Sequence, residues 1–399
     1  MRDIQILQQT LENQCPDIHK KRLRSLMLAT KTVLDGSDLT LTKIGRALDT
    51  DTTVKHAIKR IDRLLGNRNL HREKDAIYKW HASFITRANP FSVVLVDWSD
   101  VREQLRYMTL RASVAVKGRA VTLYEQAFEY KNYNSPKSHQ YFLDKLQTLL
   151  PEGCTPIIVS DAGFRNTWFR QVANKGWFWL GRVRGEVSIK CGDAPWQWNK
   201  TFYPQATDTP QFLGESQLAR RSPLTCFAYL YKSQPKGRKP HRHSRTCQKH
   251  SAGKVFHKGA KEPWLLVTNI PNQVLNGVKI TRLYAKRMQI EESFRDLKSP
   301  AYGLALRHNR TRCTNRIDIL LLMALMAEII MWWNGLIAMQ AQWHYDFQAN
   351  TIKHRRVLSI PRLGKEVRCH RRYQIKGSQY HWAMVEYQRL THTCGLGEL

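Results

Sequence analysis

Acidic residues are scarce in this chain: 32 Asp and Glu stand against 64 Lys and Arg over 399 residues, a formal net charge of +32. The excess runs along the whole length and is not gathered in a tail. It calls for a polyanionic partner, nucleic acid before an anionic membrane. Paired cysteines are missing as well. The eight cysteines, at 15, 154, 191, 226, 247, 313, 369 and 394, are scattered singly without a C-x-x-C pair, which fits free thiols in a reducing cytoplasm. The opening MRDIQILQQT lacks the apolar stretch of a signal peptide. Internal repeats and low-complexity tracts are absent. One apolar run, Ile319 to Ile337, has the length of a membrane span. Glu328 and Asn334 interrupt it and its flanks are polar, so it reads as a helix buried in a soluble core and no membrane partner is expected. His241, His243, Cys247 and His250 crowd one segment, but their surroundings are strongly basic, lack a second ligand pair and have no apolar flank, so structural zinc is not expected.

What is present begins with two strand-like runs that each end in an acid. FSVVLVDWSD leads to Asp97 and TPIIVSDAGF leads to Asp161. Short, continuously apolar Val/Ile runs read as central strands covered on both faces. An acid at the carboxyl end of such a strand sits where α/β sheets place ligands, although a single Asp there also serves as a turn former or helix cap.

A third segment, YAKRMQIEESFRDLK, spaces Tyr284, Arg287, Glu291 and Lys298 at offsets of 0, 3, 7 and 14. At about 100° per residue, one helix would project them within roughly a 60° arc. Leu283, Ile290, Phe294 and Leu297 occupy the adjacent arc as its core-facing stripe. A carboxylate for a metal, with Arg, Lys and Tyr for phosphate oxygens, suits phosphate chemistry; a solvated charged edge with intrahelical ion pairs has the same spacing. Glu292 is the rival acid, about 80° around the helix from the Tyr284 direction. Asp97, Asp161 and Glu291 together would hold two divalent ions through oxygen ligands alone.

Along the chain, residues 1–70 read as a separate helical domain. LTKIGRAL, DTDT and TVKHAIKRIDRLLG have the rhythm of helix, turn, helix, with Thr52 or Thr53 as cap and Val54, Ala57, Ile58 and Ile61 as the apolar stripe. Lys55, His56, Lys59, Arg60 and Arg63 face away, as a helix entering a DNA groove requires; a plain helical hairpin with a solvated basic face remains the alternative. Residues 71–185 then carry strands at 92–98, 105–116 and 119–129, a helix near 137–150, a strand at 156–160, a helix near 163–174 and the strand WFWLGRV. That is the order of a ribonuclease-H-like sheet, with Asp97 on the central first strand and Asp161 on the fourth beside it. Residues 186–262 read as a β-rich basic insertion, and 263–345 return to the core with PWLLVTNI, the Glu291 helix and two helices over about 315–340. Residues 346–399 are basic and weakly patterned. The fold class expected is α/β: a ribonuclease-H-like catalytic core, a mixed sheet with flanking helices, interrupted by the β insertion and preceded by the helical domain.

Together these blocks resemble the DDE transposases of bacterial insertion sequences, in the group whose third acid sits in a Tyr-Arg-Glu-Lys signature (insertion-sequence family four). The likeness covers nearly the whole chain and weakens in the insertion and after about residue 373. It implies Asp97, Asp161 and Glu291 as ligands of two Mg²⁺ or Mn²⁺ ions, and Tyr284, Arg287 and Lys298 as holders of DNA phosphates. It implies that Trp264 stacks on a base flipped from the strand end, an ordinary strand-edge Trp being the alternative. It implies hydrolysis at inverted-repeat ends, hairpin formation and opening, and transfer into target DNA, with no nucleotide cofactor. A homodimer on the DNA and a place in the bacterial cytoplasm at the nucleoid complete the expectation. A two-metal nuclease or junction resolvase of the same fold is the alternative activity.

Overall fold

The computed structural model describes residues 2–87, 89–102, 106–116, 118–233 and 262–393. The chain divides into two units, residues 1–156 with 288–398, and residues 157–287.

The first unit opens with five helices, α1 (Arg2–Gln14), α2 (Lys20–Leu34), α3 (Leu41–Ala47), α4 (Val54–Leu65) and α5 (Arg68–Thr86). The turn between α3 and α4 lies where DTDT predicts it. A Cβ added to Gly45 would sit 2.6 Å from the Ile58 Cα, so only glycine lets α3 lie this close to α4. The α4 stripe differs by one turn from expectation. Val54 is 54% exposed, and the buried set is Ala57, Ile61, Leu64 and Leu65. Thr53 is the N-cap by position, but its hydroxyl meets the His56 ring at 3.0 Å and caps no backbone N–H.

Strands β1 (Val93–Asp100), β2 (Tyr107–Ala115) and β3 (Ala120–Glu129) follow as an antiparallel meander, with β2 central and buried along its length. Helix α6 (Pro136–Leu149) comes next. Ser135 caps it by accepting from the Ser138 N–H, and Pro136 opens its first turn.

In the second unit, β4 (Ile157–Ser160), α7 (Asn166–Ala173) and β5 (Phe178–Val183) precede β6 (Ser188–Cys191), β7 (Gln197–Trp198), β8 (Gln211–Leu218), β9 (Leu224–Tyr231), β10 (Trp264–Thr268) and α8 (Gly277–Ala285). Its strands lie in the order β4-β5-β10-β9-β8-β6-β7, parallel between β4 and β5 and antiparallel elsewhere. The run of elements from β1 to β5 is the one expected of a ribonuclease-H-like core.

The chain returns to the first unit with α9 (Met288–Lys298), α10 (Thr314–Gln340), α11 (Ile360–Cys369) and α12 (Gly377–Thr393). The region 315–340 is one helix of 27 residues, not two. It has the length and composition to cross a membrane, yet 94% of its most apolar window is buried. α1, α2, α4, α5, β3, α11 and α12 surround it. Its one early acid, Asp318, accepts from Lys74 Nζ and Gln126 Nε2, both at 2.7 Å, and from the Ala127 N–H at 2.9 Å. A buried charge with that many donors is compensated.

The region after 346 is also more ordered than its pattern suggests. α12 buries Tyr380, Ala383, Tyr387 and Thr391, a helical stripe made of Tyr, Ala and Thr, which a search for Leu and Ile does not register. The His/Cys group at 241–250, with most of the basic loop 232–262, lies outside the described residues.

Candidate active site

Each acid sits where its strand or helix puts it. β1 runs Val94, Leu95 and Val96 at 0% exposure, then surfaces at a half-buried Asp97. The Asp97 Oδ1 accepts the Trp98 N–H at 2.8 Å. Trp98 faces the other way and donates its indole N–H to His139 Nε2 of α6 at 3.1 Å, with Phe128 and Tyr133 around it. Burial holds the His139 imidazole down at about 4, so it is a neutral acceptor at pH 7 and fixes the strand end without adding charge.

Asp97 pairs across the ladder with Arg111 of β2, and Arg111 with Glu125 of β3. Cross-strand partners share a face. The Arg111 guanidinium lies over the Phe294 ring of α9 at 4.8 Å, so Asp97 and Arg111 belong to the face that α9 covers. Arg111 is fully buried, bonded to Glu125 at 2.7 Å and 4.0 Å from Glu328 of α10. Sequence reading passed over Arg111; a lone Arg amid apolar β2 residues, opposite the first acid, is the signal that would have found it.

Glu291 is exposed in the first turn of α9, while Ile290, Phe294 and Leu297 are buried as expected. Two turns on, Lys298 donates to Ser99 Oγ at 2.9 Å and Asp100 Oδ1 at 2.8 Å. These contacts fasten α9 across the end of β1, two and three residues beyond Asp97. Glu292 is engaged elsewhere, with Arg119 at 3.7 Å and Arg295 at 2.5 Å.

One helix does not carry the whole signature. α8 ends at Ala285, Lys286 and Arg287 form a turn, and α9 starts at Met288. The N–H groups of Lys286 and Arg287 bond back three residues, to Leu283 and Tyr284, a tighter winding than the α-helix. The single 60° arc expected from the spacing is therefore broken. Tyr284 and Arg287 fall in the second unit, and Glu291 and Lys298 in the first.

In the second unit, Asp161 follows β4, and its Oδ1 accepts the Gly163 N–H at 2.8 Å in a tight turn. Tyr284 is 5% exposed. Its ring meets the Trp264 edge at 5.0 Å, and Arg287 lies over it at 6.0 Å. Burial pushes its phenol up to about 12, with Asp161 adding to the rise and Arg287 and Arg182 opposing it, so it is a donor at pH 7. Trp264 opens β10, half-buried, with Tyr231 on its other side at 5.7 Å.

The basic face of α4 forms a separate feature. His56, Lys59, Arg60 and Arg63 line a cavity of about 630 Å³ together with Lys21 and Arg22 of α2. Lys55 is exposed on the same helix but is not part of that lining.

Asp97, Asp161 and Glu291 offer only carboxylate oxygens, the donor type that Mg²⁺ and Mn²⁺ take. Among the described residues no three of His, Cys, Asp and Glu gather into a metal cage. Oxygen donors of this kind suit an ion that takes the rest of its shell from water and substrate phosphate.

The family model for a transposase DDE domain matches residues 88–329, more than half of the 399-residue chain. Proteins with this domain act on DNA and generally use divalent metal ions. No curated protein matches the chain.

Proposed function

The chain belongs to the transposase DDE domain family, and we propose that it is a cut-and-paste transposase of a bacterial insertion sequence, in the Tyr-Arg-Glu-Lys group and similar to the transposase of transposon ten. The observation that carries this reading is the clamp of α9 onto β1. Lys298 is bonded beside the strand end that bears Asp97, on the helix that bears Glu291.

Asp97, Asp161 and Glu291 would hold two Mg²⁺ or Mn²⁺ ions, which supply an activated water and neutralise the leaving oxygen of the scissile phosphodiester. The protein's own groups position the DNA. Lys298 and Arg287 meet phosphate oxygens as fixed cations, and Tyr284, held protonated, donates a hydrogen bond. Trp264 offers its ring to a base flipped out as the strand bends into a hairpin. A second water opens the hairpin, and the 3′ hydroxyl so freed joins target DNA by the same in-line displacement. Residues 1–70 bind the inverted repeats through Lys55, His56, Lys59, Arg60 and Arg63. Residues 71–185 and 263–345 form the catalytic core, 186–262 the insertion and 346–399 the basic tail. Two ends are cut per excision, so two copies act together at the nucleoid.

The test is metal-dependent joining of pre-cleaved inverted-repeat ends to a target duplex. Joining is expected, lost by at least about a thousandfold in Asp97→Asn, Asp161→Asn and Glu291→Gln, an energy of about 4 kcal/mol, while end binding persists. Glu292→Gln, which removes only surface ion pairs, should change the rate less than about threefold. Cutting without joining would identify a nuclease or resolvase instead. Equal loss from Glu291→Gln and Glu292→Gln in folded protein would reject Glu291 as the third ligand.

A further inference from the structure

The second unit contains a cavity of about 630 Å³ that none of the roles above uses. Its volume lies inside the roughly 300–1,000 Å³ range of ligand pockets. Arg165, Arg182, Arg184, Arg220 and Arg221 line it, against a single acid, Glu186. Arg182 and Arg184 are bound to Glu262 at 3.2 and 2.7 Å. Among the described residues no acid pairs with the guanidinium groups of Arg165, Arg220 or Arg221. Beyond the Glu262 pairs and Glu186, the lining keeps an excess of positive charge that an anionic ligand would offset.

The walls also carry two indoles, Trp196 and Trp198. Trp198 ends the short β6–β7 ladder, opposite Ser188, and is 59% exposed. Its ring is therefore open to a planar ligand in the cavity. A further anion-binding element faces the same space. Ala162, Arg165 and Asn166 line the cavity around the start of α7, and Arg165, its N-cap, supplies no side-chain acceptor to that helix. The open N–H groups of a helix start favour a phosphate.

We propose that this cavity binds an unpaired nucleotide of single-stranded DNA, its base stacked on Trp198 and its phosphates held by Arg165, Arg220, Arg221 and the start of α7. Trp264 is not part of the lining, so this is a second stacking position. Cations interleaved with aromatic faces are the usual means of holding a single strand without reading its sequence. The inference rests on the DNA-transposing reading only for the source of the strand, which is the stretch opened at a cut end.

The experiment uses the full chain and a single-stranded oligonucleotide carrying 2-aminopurine, whose emission falls when the base stacks. Wild type should quench the probe. Trp198→Ala and the double variant Arg220→Gln/Arg221→Gln should each bind it about tenfold more weakly, with inverted-repeat duplex binding unchanged and Trp198→Phe restoring most of the affinity. Oligonucleotide affinity within twofold of wild type in both variants would overturn the proposal. So would an equal loss of duplex and single-strand binding, which marks a general basic surface. The joining assay above separates the two readings. A chain that joins ends but binds the probe normally without Trp198 loses only this cavity, and a chain that needs Trp198 for the probe yet joins nothing loses only the transposase assignment.

Discussion

The bond from Lys298 to Asp100 makes the clamp of α9 on β1 measurable. It spans 2.8 Å, between side chains 12% and 26% exposed. A hydrogen bond to a charged group contributes about 1.5–3 kcal/mol, and partial exposure places this one near the lower half, about 2 kcal/mol. Lys298→Met should lose about that amount and leave Asp100 without its cation. Asp100→Asn should lose about 1 kcal/mol, because the amide oxygen still accepts from the ammonium. The double variant should cost little more than Lys298→Met alone, a coupling of about 1 kcal/mol. Hydrogen exchange of the α9 amides reads this locally. A 2 kcal/mol loss raises exchange about 30-fold, at 1.4 kcal/mol per decade. DNA cleavage separates the lysine's two duties, since Asp100→Asn keeps the cation and should cut DNA whereas Lys298→Met should not. If the single changes add within about 0.3 kcal/mol, or α9 exchange moves less than threefold, the clamp is not what holds this helix over Asp97.

Three further outcomes are expected. Changing Lys59, Arg60 and Arg63 to Gln should weaken end binding and lower the slope of log affinity against log salt by about 1 for each phosphate no longer neutralised; an unchanged slope would remove α4 from the DNA interface. Trp264→Ala should nick the first strand at a near-normal rate but form the hairpin about tenfold more slowly, since stacking a base contributes about 1–3 kcal/mol, and a time course in which both steps slow together would make Trp264 a packing partner of Tyr284. Glu328 is raised from 4.5 to about 7, chiefly by burial and then by Glu125, against the pull of Arg111. Its contribution is full below pH 4.5 and declines as pH climbs through 7. Glu328→Gln should flatten thermal stability between pH 5 and 8 by up to about 3 kcal/mol, and a retained slope would assign it to another group.

The strands that carry Asp97 and Asp161 were legible within two residues at each described end, because Val/Ile runs closed by a polar residue have few other readings. The break at Lys286–Arg287 was not legible. Both residues have ordinary helix propensity, and no Gly or Pro marks the two tightened hydrogen bonds that end α8. Two turns of helical spacing on either side fit a continuous helix equally well. Arg111 was missed because period-two patterning scores a buried Arg as an error, when Glu125 and Phe294 make it a cross-sheet tie. The region 315–340 was read as two helices and is one; the Glu328 carboxylate within it is met by Thr122 Oγ1 at 3.0 Å.

The setting of α10 also bears on the order in which the protein is made. Its neighbours α1, α2, α4 and α5 are synthesised before it, but α11 and α12 come from the last forty residues. A Cβ on Gly364 of α11 would stand 1.9 Å from the Met331 carbonyl oxygen of α10, so this late segment seats directly on the helix backbone. Until Gly364 has been translated, the nascent chain presents a long apolar helix with one side uncovered, a surface that invites chaperones and the membrane-targeting machinery alike. A ribosome-bound chain halted near residue 350 should cross-link to such factors through α10, and one extended past residue 393 by a linker should not; indifference to length would show that the N-terminal helices alone cover it.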